Sequence, residues 1–285
     1  MRGSSPTFKE ILLDVDESVA SLTLNRPSAR NAWTLRMDAE VREALAVCDA
    51  DDGVRAVVIT GAGDCFCVGA DLSSGDIEAP GGRPEPSGRP RLSPPDVRKP
   101  VIAALNGHAV GIGTTFAMLC DIRVVASTAK VGLPFVRRGV ISEANGHWML
   151  PRLIGVSRAA ELLLTGRLLS GVEAAEMGLC PKAVTAETVL ATAMEIGREV
   201  ASSTAPLAVA ASKRVLWEAL EMSRPEAERR ESQLFHWLAG HPDTFEGVSS
   251  FLEHRSPRWS GRASRALPPI PSSAQLDNPP EGTTR

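Results

Sequence analysis

Two glycine-rich turns are the first candidates for chemistry in this sequence. They are ITGAGDCFCVGADL at residues 59–72 and GHAVGIGTTFAMLCDI at residues 107–122, and each contains or follows an apolar run typical of a buried strand. Glycine permits close approach and unusual backbone angles, so both turns can direct peptide N–H groups into one cleft. Two such donors would form an oxyanion hole, which stabilises negative charge developing on a carbonyl oxygen. The alternative interpretation is that the glycines only permit tight strand-to-helix packing, and the pattern alone leaves both open.

The signature motifs of several other enzyme classes are absent from the sequence. Neither GAGDCF nor GIGTTF carries the third glycine and the downstream acid of a dinucleotide-binding turn. The chain has no GxxxxGK[ST] phosphate loop and no GxSxG serine-hydrolase elbow. Its five histidines show no HExxH and no other metal spacing. We therefore expect chemistry that is carried by the backbone, without a nicotinamide, a flavin or a metal.

Strands and helices alternate over about the first 200 residues, and helices follow alone. The runs SVASLTLNR, VRAVVITGAG and KPVIAALNG predict strands, while RMDAEVREALAVCDADDGV and TTFAMLCDI predict helices. Ser170 is the predicted N-cap of a short helix over GVEAAEMGL, and Gly178 is its predicted stop. This order of elements indicates an α/β fold with a helical C-terminal region.

The bulk composition is that of a soluble protein. Of the 285 residues 43% are hydrophobic and 23% charged, and a formal net charge of −3 gives no reason to expect a nucleic acid or an anionic membrane as partner. The five cysteines form no CxxC pair, and no uncharged run reaches membrane-spanning length. We therefore expect a cytoplasmic protein with reduced thiols. Residues 73–95, rich in Pro and Gly, are predicted to be a mobile loop, and residues 263–285 a disordered tail.

The two turns belong to a set of four motifs that resembles a known family. Together with LTLNRPSARNAW near the start and EGVSSFLEHRSPRW near the end, they resemble the ordered motifs of the crotonase, or enoyl-CoA hydratase/isomerase, superfamily over about residues 8–260. The resemblance implies a spiral of ββα units at 1–200 that carries the acyl-CoA site, and a helical trimerisation region at 201–262. It also implies an acyl-CoA thioester substrate, no metal or redox cofactor beside the coenzyme A of the substrate, and a homotrimer or a dimer of trimers.

The resemblance further implies where the site lies. The oxyanion donors become the backbone N–H groups of Ala70 and Ile112. Coenzyme A adenine and phosphates would lie at Ala29 and Arg30, and a neighbouring subunit would contribute Phe251 and His254. The complete set implied to contact the substrate is Ala29, Arg30, Ala70, Asp71, Leu72, Phe251 and His254.

Hydratases of this family use two glutamates, and both are missing here. The first would stand at Thr115, and the second would follow the proline of a GxPE segment, where GLPFV places Phe135. One acid remains nearby: Glu143 stands where a subset of the superfamily, including Δ3,Δ2-enoyl-CoA isomerases, places its single catalytic acid. One carboxylate can take a proton from C2 and return it to C4 while the oxyanion hole holds the thioester enolate. Burial beside Phe135, Val140 and Ile141 would raise its pKa. The sequence therefore favours a one-base isomerase.

Several alternatives stay open at the level of sequence. Glu143 could instead favour the N-terminus of the next helix electrostatically. His147, four residues later, would share a helix face with Glu143 and could be an auxiliary acid or an ordinary packed residue. Hydration of a 2-enoyl-CoA by Glu143 and water, and non-catalytic binding of CoA esters, are the rival functions. Asp71 and Asp121 are interpreted as structural, Asp121 at a strand–helix junction.

Overall fold

A computed structural model describes residues 7–73 and 91–269 of the chain. The strands in this part are β1 (Ile11–Asp16), β2 (Val19–Leu24), β3 (Ala56–Gly61), β4 (Cys65–Cys67), β5 (Val101–Leu105), β6 (His108–Val110), β7 (Ile122–Ala126), β8 (Lys130–Gly132), β9 (Leu168–Ser170) and β10 (Lys182–Val184). The α-helices are α1 (Leu35–Ala50), α2 (Ile112–Leu119), α3 (Gly146–Ile154), α4 (Val156–Thr165), α5 (Gly171–Glu176), α6 (Val189–Ser203), α7 (Pro206–Glu218), α8 (Arg224–Ala239) and α9 (Pro242–Leu252).

A six-stranded sheet in the order β1-β2-β3-β5-β7-β10 forms the centre of the fold. The β1–β2 pair is antiparallel, and the other neighbours are parallel. Strands β3 and β5 are buried along their whole length, as expected for continuous apolar runs in a parallel sheet. Helix α6 packs across β3, β5 and β7 and helps to keep water from them.

A second, four-stranded sheet has the order β4-β6-β8-β9. Strand β5 belongs to the large sheet and β6 to the small one, and α2 follows; β7, β8 and α3 repeat this order with a short 3-10 turn at Pro134–Arg138 before the helix. The chain thus winds as a spiral of ββα units, which confirms the predicted fold class. Because β4 and β6 are neighbours in the small sheet, the two glycine-rich turns that leave them are brought together.

Asp121, directly after α2, connects the end of that helix to the rest of the core. Its carboxylate accepts hydrogen bonds from the Val101 N–H (2.7 Å) and the Trp217 indole N–H (2.8 Å). It also forms a buried ion pair with Lys213 (2.7 Å), whose pKa is lowered by burial. The structural interpretation of Asp121 is therefore confirmed.

The C-terminal part is helical, as predicted. The expected boundary at residue 200 falls inside α6, which packs on the large sheet and so belongs with the core. Residues 263–269, the beginning of the expected disordered tail, are held in place: Ala263 is buried and the Ser264 hydroxyl donates to Asp52 (2.6 Å). The remainder of that tail, 270–285, and most of the predicted loop, 74–90, lie outside the described residues. In the part of the chain that the structure describes, we find no helix long and apolar enough to span a membrane.

Candidate active site

The two glycine turns touch each other. Gly69 and Gly111 have φ angles of 113° and 59°, a region that favours glycine. A Cβ added to Gly111 would lie 3.7 Å from the Cα of Gly69, so the space between these two backbones is no wider than one side-chain atom. At Gly113 an added Cβ would lie 2.3 Å from the Cys67 carbonyl oxygen, closer than any side chain allows. Both the close approach and the strained backbone of the pattern are therefore present.

Each turn presents a backbone N–H at this contact. The segment around Ala70 pairs with Trp33, which donates to the Gly69 carbonyl (2.8 Å) and accepts from the Asp71 N–H (2.9 Å). The Ala70 N–H between these two bonds has no acceptor among the described residues. Ile112 is the first residue of α2, and the first N–H groups of a helix have no partner within it. The predicted donor positions thus carry amides that are free to bind a ligand atom.

An apolar cleft of about 240 Å³ opens beside these amides. Most of its wall is aliphatic or aromatic, and its charged members in the described chain are Glu143 and Arg138. Arg138 was not among the predicted site residues; its guanidinium donates to the Pro134 carbonyl oxygen (3.3 Å). The lining residues are Val68, Gly69, Ala70, Leu72, Val110, Gly111, Ile112, Pro134, Phe135, Arg138, Val140, Ile141 and Glu143.

Glu143 is half-buried in this cleft and held by one hydroxyl. The Thr115 Oγ1 donates to its Oε1 at 2.8 Å. Its Oε2 has no hydrogen-bond partner within residues 7–73 and 91–269, and it is not sealed from solvent. Burial raises the pKa of Glu143, while the hydrogen bond from Thr115 acts in the opposite direction. The cleft walls at Phe135, Val140 and Ile141 are those named from the sequence as the cause of a raised pKa.

Glu143 lies in the turn that precedes α3 and not in the helix itself. Helix α3 begins at Gly146 behind Asn145, which has a left-handed backbone (φ 64°), and the Glu143 carbonyl accepts from the Gly146 N–H (3.0 Å). The expectation that Glu143 and His147 share a helix face is therefore wrong, since only His147 is helical. His147 is exposed and does not line the cleft.

Asp71 stands next to the cleft but is turned away from it. Its carboxylate accepts from the Arg26 guanidinium (2.8 Å) and the Ser73 N–H (3.0 Å). Hydrogen bonds from Ser73, together with Arg26, lower the pKa of Asp71 to about 2. Asp71 thus fixes the first glycine turn, as its structural interpretation requires, and the implied substrate contact falls to its neighbours Ala70 and Leu72, which do line the cleft.

The other positions implied for coenzyme A lie at two places. Ala29 ends the 3-10 turn at Pro27–Ala29, and the carbonyl of the exposed Arg30 accepts from the Val68 N–H (3.3 Å), next to the first glycine turn. Phe251 lies on α9, where it lines a separate cavity of about 490 Å³, and the exposed His254 follows it. Their contribution to a neighbouring subunit stays a prediction. In the described ranges no group of three or more His, Cys, Asp or Glu residues could hold a metal ion.

The fold and the cleft define the class of this protein. A ββα spiral with a cleft at the contact of its two glycine turns is a crotonase-type architecture. The family model for enoyl-CoA hydratase/isomerase matches residues 14–262, and the chain belongs to this family. Its members act on acyl-CoA thioesters, and the chain is accordingly an enzyme.

Individual relatives differ in the reaction for which they are named. An enoyl-CoA hydratase of Alternaria alternata is 37% identical over 247 residues, which cover 85% of this chain and 83% of that protein. The 1,2-epoxyphenylacetyl-CoA isomerase of Escherichia coli is 36% identical over 88% of this chain and 98% of the relative. Among solved structures, a probable enoyl-CoA hydratase/isomerase from Mycobacterium abscessus is 38% identical, with a TM-score of 0.82 over 89% of this chain and 99% of its own.

Proposed function

We propose that this protein is a one-base enoyl-CoA isomerase that moves a double bond from C3 to C2 of an acyl-CoA. The carrying observation is that Glu143 is the one carboxylate among the described residues that line the cleft. It stands beside two backbone amides that have no acceptor in the described chain. An isomerase of this kind needs one group that both removes and returns a proton, and it needs nothing else that ionises.

The amides of Ala70 and Ile112 would hold the thioester oxygen. When Glu143 removes a proton from C2, negative charge moves to this oxygen, and two N–H donors in an apolar cleft stabilise it. A carboxylate with an ordinary pKa is a weak base, and burial raises the pKa of Glu143, which makes it a stronger base for the proton at C2.

Hydration is the second candidate, since several relatives are named hydratases. A two-glutamate hydratase positions water with one acid and delivers a proton with the other. Here the corresponding positions hold the buried hydroxyl of Thr115 and the apolar ring of Phe135. A hydratase built on this chain would have to use Glu143 for both tasks, which disfavours it.

Substrate contacts follow from the walls of the cleft. Leu72, Phe135, Val140 and Ile141 offer apolar surface for the acyl chain. Ala29 and Arg30, beside the first glycine turn, would meet coenzyme A, which enters as part of the substrate. No metal or redox cofactor is needed for the proposed proton transfer. A cytoplasmic location stays a prediction.

We also propose a homotrimer or a dimer of trimers. Helices α8 and α9 carry exposed phenylalanines at 235, 245 and 251, and large exposed apolar side chains in one region are typical of subunit interfaces. Phe251 and His254 would then reach the site of a neighbouring subunit. Light scattering of the purified chain at micromolar concentration should give three or six subunits, and a monomer would contradict the proposal.

Mass spectrometry in deuterated water tests the reaction. The protein is incubated separately with 3-enoyl-CoA and 2-enoyl-CoA esters of several chain lengths, and Glu143→Gln serves as the matched control. A shifted double bond with incorporated deuterium and no hydrated product is expected from the unmodified chain, and none from the variant. A product heavier by one water would instead establish hydration.

A further inference from the structure

The hydroxyl of Thr115 has two acceptors for one proton. Its Oγ1 lies 2.8 Å from Glu143 Oε1 and 3.2 Å from the Ile112 carbonyl oxygen, and the residue is fully buried. A hydroxyl donates a single hydrogen, so these two bonds compete. A bond to an ionised carboxylate is the stronger of the two. The position of the hydroxyl proton therefore depends on the charge of Glu143.

The same bond makes the two oxygens of Glu143 different. Oε1 is held by Thr115, whereas Oε2 has no partner among the described residues and stays accessible. A substrate in the cleft therefore meets Oε2. The charged groups that act on the pKa of Glu143 are Asp38, which raises it, and Arg42, which lowers it.

We propose that Thr115 is a positioning residue that fixes Oε1, so that Oε2 alone carries the proton between the two substrate carbons. This inference rests on the proposed isomerisation. First, the C2–H bond breaks, Oε2 takes the proton, and the electron pair enters a dienolate whose charge lies on the thioester oxygen. Then the Oε2–H bond breaks, C4 takes the proton, and the double bond moves from C3–C4 to C2–C3. Glu143 is again a carboxylate.

Thr115 can accompany both steps without trapping the proton. While Glu143 is ionised, the hydroxyl donates to Oε1 and stabilises the base. Once Oε2 is protonated, Oε1 becomes a neutral and weaker acceptor, and the hydroxyl proton shifts toward the Ile112 carbonyl. Thr115, which stands where hydratases of the family have their first glutamate, thus acts through Glu143.

Replacement of Thr115 tests this role in the full-length protein. With 3-enoyl-CoA deuterated at C2, Thr115→Val should lower kcat about tenfold at unchanged KM, because the carboxylate loses the hydrogen bond that orients it toward the substrate. It should move the acid limb of the kcat profile to higher pH, and it should lower the fraction of deuterium that reaches C4. Thr115→Ser, which keeps the hydroxyl, should restore all three.

Thr114 provides the matched control. It is also a buried threonine, but its hydroxyl donates to the Ala109 carbonyl (2.6 Å). Thr114→Val should lower stability and leave the pH profile and the deuterium transfer unchanged. If Thr115→Val matches the unmodified enzyme in pH profile and label transfer, the inference is overturned. Thr115→Ala replaces it if the valine variant does not fold.

A direct titration separates this inference from the proposed reaction. The infrared carboxyl signal of Glu143, taken as the difference from Glu143→Gln, is followed with pH. Its midpoint should rise in Thr115→Val even if no substrate is turned over, and an unchanged midpoint refutes the contact with Thr115. Absence of isomerisation by the unmodified enzyme would refute the proposed function and leave the titration to decide the role of Thr115 in tuning the acid.

Discussion

The carboxylates at the two ends of α2, those of Asp121 and Glu143, differ in how many hydrogen-bond donors surround them. Asp121, which follows its C-terminal end, is surrounded by donors: an amide, an indole N–H and an ammonium group. Glu143, next to its N-terminal half, accepts one hydroxyl on Oε1, and its Oε2 has no hydrogen-bond partner in the described chain. A carboxylate with donors on both oxygens is held in place and is structural, whereas one with a free oxygen can meet a substrate.

The largest expected effect on activity is at Glu143, whose carboxylate has one hydrogen-bond donor in the described chain. Glu143→Gln should lower the kcat for isomerisation by a factor of at least about a hundred, because general acid–base catalysis by one side chain contributes roughly 10²–10⁴. Binding of a CoA ester, measured by calorimetry, should be kept. Turnover at the unmodified rate would exclude Glu143 as the acid and base.

The largest expected effect on stability is at the other end of α2. Asp121→Asn leaves the buried Lys213 ammonium without its counter-charge, and breaking one half of such a pair costs about 3–5 kcal/mol of the free energy of unfolding. Urea denaturation measures this. Asp16→Asn, which breaks an exposed ion pair with Arg198, should cost only about 0–1 kcal/mol. Equal losses in the two variants would show that the buried ion pair of Asp121 contributes no more than the exposed one of Asp16.

Gly111→Ala should weaken both the fold and the proposed oxyanion site. A φ of 59° with a ψ of −122° is unfavourable for alanine and costs on the order of 1–3 kcal/mol. The relaxation would displace the Ile112 amide and lower kcat about a hundredfold, as loss of one oxyanion donor does. Gly155→Ala changes another positive-φ glycine, away from the cleft, with no atom within 4 Å of the added Cβ. It should be destabilising with unchanged kcat.

The smallest expected effect is a pH-dependent difference in thermal stability that arises from Glu143. Burial raises the pKa of Glu143 above the ordinary value of 4.5, so ionisation of this side chain costs the folded state free energy. The favourable contribution of the protonated acid is complete below the unfolded pKa and is lost as the pH rises through the folded pKa. Glu143→Gln should therefore gain thermal stability relative to the unmodified chain as the pH increases from below 4.5 to the neutral range. A difference in Tm that does not change with pH would contradict this.

Much of the site could be predicted because its parts are local. Glycine spacing placed both turns, and the resemblance to the crotonase superfamily placed the acid at Glu143. The capping box at Ser170, with its side chain accepting from the Glu173 N–H (3.2 Å), follows from four consecutive residues. Patterns of this length are visible in a single sequence because the residues that interact are neighbours in the chain.

What the sequence did not predict depends on distant partners. Strand β1 was missed because its LDVD stretch carries acids on the exposed face and gains its stability from pairing with β2. The Arg26–Asp71 bond joins residues 45 positions apart. The prediction that His147 and Glu143 share a helix face was wrong because two left-handed residues, Ala144 and Asn145, interrupt the helix between them. Backbone reversals of this kind carry no signal in hydrophobic periodicity.

The anion-binding groups proposed for this cleft are peptide N–H groups, and every residue except proline carries one. Substitution of a neighbouring side chain therefore leaves the donor in place, whereas Gly69, Gly111 and Gly113 restrict which residues are allowed in the turns. Acidic side chains can be gained or lost around such an unchanging centre one codon at a time. A lineage with this architecture can change the reaction it performs while it keeps the means of stabilising the intermediate, and laboratory evolution of new thioester chemistry could use the same freedom at positions 115 and 135.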